Sequence, residues 1–161
     1  MHGQPDSKFL PLSRFRRDER GVQLMEVAIV MPVLLILLAA TAEFGRYFYV
    51  YSTLSRTTRT AIRHISSKPF TETYKTEAIN LALCGSTTTC GTGTEVLSGL
   101  TASNFSITSS GGSTYFPMTV TVQVVNYNYV PIFNLGNFAD GVSWTSVPVT
   151  ASTTMRYMLS N

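Results

Sequence analysis

Glu26 is where chemistry must be sought first, because it is a single carboxylate inside an otherwise apolar stretch, residues 22–42. An ionised group in hydrocarbon costs on the order of 3 kcal/mol unless it meets a partner or lies at the interface. One reading has Glu26, about a turn from the N-terminal end of the stretch, reaching the headgroups or taking up a proton. The other turns on Gly21. A cut after it makes Val22 a new N-terminus and places a charged amine on the same segment as the carboxylate. In a low-dielectric bundle an amine–carboxylate pair neutralises both charges and sets an axial register.

Few other residues have chemical potential. Cys84 and Cys90 enclose Gly-Ser-Thr-Thr-Thr, a spacing unlike a two-residue redox motif and without the second ligand pair of a zinc site. A structural disulfide is the expectation, contributing roughly 2 kcal/mol in the chain-entropy view. His2 and His64 are remote in sequence, and Glu95 and Asp140 are the only acidic residues after Glu77. The sequence carries no glycine-rich phosphate loop, Ser-His-Asp arrangement or metal-ligand cluster, so no enzymatic activity, metal or cofactor is expected. A net charge of +3, with arginines not gathered on one basic face, argues against nucleic acid as a partner.

The element that carries Glu26 is the apolar stretch itself. At about 1.5 Å per residue, residues 22–42 span roughly the 30 Å of a hydrocarbon core. Lys8, Arg14, Arg16, Arg17 and Arg20 precede it, which keeps that end in the cytoplasm by the positive-inside rule. Glu43, Phe44, Arg46, Tyr47, Phe48, Tyr49 and Tyr51 follow it, the mixture found where a helix leaves a bilayer. A secretory signal cleaved at Ala40-Thr41-Ala42 is the rival reading. Against it, apolar periodicity continues without a break through Phe44, Tyr47, Phe48, Tyr51, Leu54, Thr58, Ala61, Ile62 and Ile65, predicting one helix from about Leu24 to Ser66. Arg56, Arg59 and Arg63 share another face, read as solvated surface. Pro32 cannot donate to the carbonyl of Ala28, so a kink or loosened turn is expected there, either ordinary for a membrane helix or a hinge.

Gly21, Glu26, Pro32 with Val33-Leu34-Leu35, then Glu43-Phe44-Gly45-Arg46 and residues 59–63, follow in an order that resembles the TadE-like minor pseudopilins of tight-adherence (Flp) pilus systems. Val27 stands where that family usually has Phe, and the basic leader is longer than most. The resemblance implies cleavage by a prepilin peptidase between Gly21 and Val22. It also implies a role for Glu26 in pairing with a neighbouring subunit's N-terminal amine, with the other pilin and pseudopilin subunits as partners through the helix. The implied layout is a cytoplasmic leader (1–21), an inner-membrane helix (22–42) and a periplasmic domain (43–161) that takes part in assembling or priming an adhesive pilus. Two alternatives stay open: a static single-pass envelope protein whose outer domain binds a partner, and a secreted protein freed after Ala42.

Beyond the long helix, Ser67-Lys68-Pro69 is a helix stop. Thr71 is a candidate N-cap for a second helix over residues 72–83, with Tyr74, Ala78, Ile79, Ala82 and Leu83 as its apolar side. Residues 104–108 and 115–130 read as strands about a turn at 109–113. Val120, Val122 and Val124 alternate with Thr119, Thr121 and Gln123. Val147, Val149, Ala151, Thr153, Met155 and Tyr157 give a further strand. The expected fold is α+β: a long N-terminal transmembrane helix, a second helix and an antiparallel sheet of about three strands. Phe133, Leu135, Phe138 and Trp144 lie in the connection at 131–146, read as a lid over the sheet or an exposed contact surface.

Overall fold

The three strands lie in the order β1–β2–β3, all antiparallel: β1 is Phe105–Gly112, β2 Pro117–Tyr129 and β3 Val147–Arg156. Two helices precede them, α1 over Glu19–Ser66 and α2 over Glu72–Cys84. The computed structural model describes residues 19–91, 93–114, 116–133 and 146–159. Residues 1–18 of the basic leader and residues 134–145 of the connection, with Leu135, Phe138 and Trp144, lie outside the described residues. The chain divides into two compact units, Met1–Ala39 and Ala40–Asn161.

Within the first unit, α1 is an apolar rod. Its large apolar side chains from Val22 to Leu38 are 41% to 72% exposed. That rules out the role of a soluble core helix, which buries an apolar stripe. Pro32 lies inside the unbroken helix.

The second unit holds the core. Val50, Leu54, Ala61, Ile62 and Ile65 of α1 join Ala78, Ala82 and Leu83 of α2 and Val120, Val122, Val124 and Val149 of the sheet in one cluster. Each fully buried aliphatic side chain stabilises by about 1.5–3 kcal/mol relative to exposure. Polar groups in this core are paired: Thr58, fully buried, bonds to the Ser55 carbonyl (3.0 Å) and to the Thr153 hydroxyl of β3 (3.1 Å). The His64 ring and Glu77, 3.1 Å apart, join α1 to α2. Arg56, Arg59 and Arg63 are exposed, as the solvated-face reading requires.

Helix α2 starts after Thr71, whose extended backbone (φ −118°, ψ 161°) suits the N-cap, although its side chain makes no capping bond. It stops at Gly85, whose φ of 74° lets the backbone N–H close onto the Leu81 carbonyl at 3.0 Å. The Cys84–Cys90 disulfide is formed, with Cα atoms 5.9 Å apart.

Two expectations are corrected. Residues 109–112 are strand, not turn: Ser109 pairs with Val120 and Ser110 with Thr119. The reversal is displaced to residues 113–116, where the Ser113 N–H donates to the Phe116 carbonyl (3.1 Å). The positive φ of Gly111 and Gly112 (68° and 72°) carries β1 into it. Secondly, the apolar stripe from Phe44 to Ile65 does not lie on a single face: Phe44, Phe48 and Tyr51 are 71%, 62% and 45% exposed, while Leu54, Ala61, Ile62 and Ile65 are buried. A three-or-four spacing fits two neighbouring stripes of a helix, and Glu43, half-buried Tyr47, Val50 and Leu54 occupy the inward one.

Strand β2 changes phase along its length. Val120, Val122 and Val124 are fully buried, but after them Tyr127 and Tyr129 are the buried residues. A bulge separates the two halves: Val124 pairs with Ala151 and Tyr127 with Val149, with Asn126 at φ 55°. The Asn104 side-chain amide donates to the carbonyls of Val125 and Asn126, both at 3.1 Å, meeting the acceptors that the broken ladder leaves over.

Candidate functional site

Gly21, Val22 and Glu26 all lie on α1 in the first unit, exposed. The Glu26 side chain borders a shallow depression of about 250 Å³, with Val27, Val30, Met31 and Leu34 as its other walls. The other walls of this depression are apolar, so Glu26 is its one polar side chain. A Cβ added at Gly21 would meet open space, and Gly21 and Val22 are both exposed. This helix is the one described element long and apolar enough to cross a membrane, with a mean hydropathy of 2.4 in its most apolar window.

A second carboxylate constellation, in the second unit, was not legible as such. Glu43, 9% exposed, accepts a hydrogen bond from the Tyr129 hydroxyl. It also accepts from the N–H groups of Ile132 (3.3 Å) and Phe133 (3.5 Å), and Arg46 lies 3.7 Å away. Tyr129 is clamped from other sides. Tyr47 meets it edge-on with ring centroids 5.6 Å apart, and the Arg46 guanidinium lies 5.8 Å from its ring centre. Burial raises the pKa of Glu43. The Tyr129 hydroxyl, the two N–H donors and the Arg46 charge outweigh that, and the net pKa lies below the ordinary 4.5. Tyr129 is pushed up to about 12, by burial first and then by its bond to the carboxylate. The result is an ionised Glu43 and a neutral Tyr129 donor across the ordinary pH range.

The β2 bulge makes this constellation possible. An unbroken alternation would keep the even-numbered residues inward and turn Tyr129 away from α1. Glu43 read as a helix-exit charge from sequence, and no residue-level signal linked it to a strand far along the chain. Asn104 and Asn126 were the available hint of irregular backbone. A cleft of about 340 Å³ lies beside the cluster, with Phe44, Tyr47, Pro131 and Phe133 among its walls. Among the described residues no three His, Cys, Asp or Glu side chains come together as a metal site.

These features define a class: an α+β protein with a long N-terminal helix that could anchor in a membrane and whose residues from Val50 to Ile65 contribute to the core of the second unit. A family model described as TadE-like protein matches residues 21–63. The match begins at Gly21 and includes Glu26, Pro32 and Glu43, so the TadE-like resemblance is supported over that segment. No curated protein and no solved structure matches the chain.

Proposed function

We propose that this protein is a minor pseudopilin of a Tad/Flp-type pilus system, cut after Gly21 by a prepilin peptidase. Residues 22–42 hold it in the inner membrane with the C-terminal domain in the periplasm. It takes part in assembling or priming the pilus through its helix, with other pilin and pseudopilin subunits as partners. The observation that carries this reading is the TadE-like match over residues 21–63, which ties the chain to Tad/Flp systems. It is joined by the exposure of Glu26 and of the large apolar side chains around it on α1. The Val22 amine released by cleavage supplies the cation that Glu26 lacks among its aliphatic neighbours, from one subunit to the next. The role is structural, with no catalysis and no cofactor.

Mass spectrometry of the membrane-extracted chain, produced together with a prepilin peptidase, is expected to give Val22 as the first residue. An intact leader leaves a static anchor. A chain beginning at Glu43 identifies a secreted protein. Glu26→Ala is then expected to abolish incorporation into pili while membrane insertion persists; normal piliation with that variant overturns the assembly role.

A further inference from the structure

The far end of β2 ends in a run of unburied apolar residues, with Val130 65%, Ile132 67% and Phe133 48% exposed. Two N–H donors of this tip and the hydroxyl of Tyr129 terminate on Glu43, so the tip is fixed to one place on α1. Phe44, Pro131 and Phe133 wall the same cleft, which joins α1 to the tip, and Phe48, also exposed, lies one helical turn beyond Phe44. Arg46, with about half of its side chain exposed, stands among them. Large apolar groups gathered this way are a contact surface rather than scattered exposure.

The occupant follows from position along the chain. Glu43 directly succeeds the apolar residues 22–42, and Phe48 is only about 8 Å further along the helix. Where residues 22–42 cross a bilayer, residues 43–48 stand at its headgroup boundary, and Glu43 brings residues 130–133 to that same level. Aromatic and aliphatic side chains beside an arginine are the composition that this boundary accepts.

We propose that residues 130–133, with Phe44 and Phe48, enter the headgroup–acyl boundary of a phospholipid bilayer, giving the folded unit a second membrane contact besides its helix. The proposal rests on the reading of residues 22–42 as membrane-spanning, and the test separates the two. The full chain is reconstituted in phosphatidylcholine–phosphatidylglycerol vesicles with brominated acyl chains, with Trp144 retained and quenching taken as the excess over the parent. Single substitutions Leu35→Trp, Ile132→Trp and Met158→Trp report three positions. Met158 is exposed, and its N–H bonds to Ser66 at the opposite end of the folded part of α1. Loss of emission is expected for Leu35→Trp and Ile132→Trp and not for Met158→Trp. Quenching at Leu35 without quenching at Ile132 overturns the second contact and leaves the spanning helix standing. No quenching at Leu35 removes the spanning reading and this proposal with it. A tryptophan at 132 that is untouched by bromolipid but lies at a cross-linkable contact between two copies makes the patch a subunit surface and overturns the lipid assignment.

Discussion

Two stretches of one helix treat a carboxylate in opposite ways. Around Glu26, the large apolar side chains of α1 are exposed, and among the described residues no donor meets the glutamate. Around Glu43 the helix is inward on one stripe only, and the glutamate is met by a phenol, two backbone N–H groups and a guanidinium. The carboxylate of Glu43 is satisfied within the folded unit, and that of Glu26 meets no such donors among the described residues. A helix rich in apolar residues is therefore not one kind of object: the surroundings of its few charged positions separate the stretch packed into a fold from the stretch left exposed.

The sharpest way to break this contrast is one substitution made in both stretches. Leu54, fully buried, is expected to cost about 2–5 kcal/mol when changed to Ala, whereas Leu35→Ala leaves unfolding of the C-terminal unit unchanged. Chemical denaturation in detergent, followed by near-ultraviolet circular dichroism, compares the two. Next in size, Glu43→Ala strands a buried hydroxyl and two N–H donors, with an expected loss of about 2–3 kcal/mol. Glu26→Ala in the same assay is expected to change nothing, since Glu26 is exposed and lies outside the second unit. Replacing Cys84 and Cys90 together by Ser costs roughly 2 kcal/mol, read as a fall in Tm that reductant produces in the parent and not in the variant.

The smallest effect is the pH dependence. Glu43 has a lowered pKa in the fold, so its stabilisation is present above the unfolded value and disappears as pH falls from about 4.5 through the folded value. Tyr129, raised to about 12, has the opposite sign: its contribution is intact below 10 and is lost as pH rises from 10 toward 12. Tm measured across both limbs is expected to be flat between them, and Glu43→Gln is expected to flatten the acid limb.

Where the sequence was legible, a single local rule decided the outcome. Alternation along residues 119–124 identified the buried valines of β2, and the spacing of the cysteine pair pointed to the disulfide. The three-or-four periodicity gave the end of α1 at Ser66, though the helix begins at Glu19 rather than near Leu24, and it could not choose between two adjacent stripes: Phe44, Phe48 and Tyr51 fell on the outer one. The Glu43 cluster was illegible because it depends on residues 86 positions apart brought into register by an irregular backbone. The glycines at 111 and 112 resembled a turn and instead lead into one.

The bulge at Asn126 has a consequence for how this chain tolerates length changes. It acts as a parity inversion: before it even-numbered residues are inside, and after it odd-numbered ones are. Deleting one residue between Val124 and Tyr127 only removes the bulge, because Val124, Tyr127 and Tyr129 then follow one regular alternation and all stay inward. Deleting Asn128, beyond the bulge, is no local trim: it moves Tyr129 to an outward position, sends its phenol away from the carboxylate it serves, and unties the tip, although every side chain named in the cluster is still encoded.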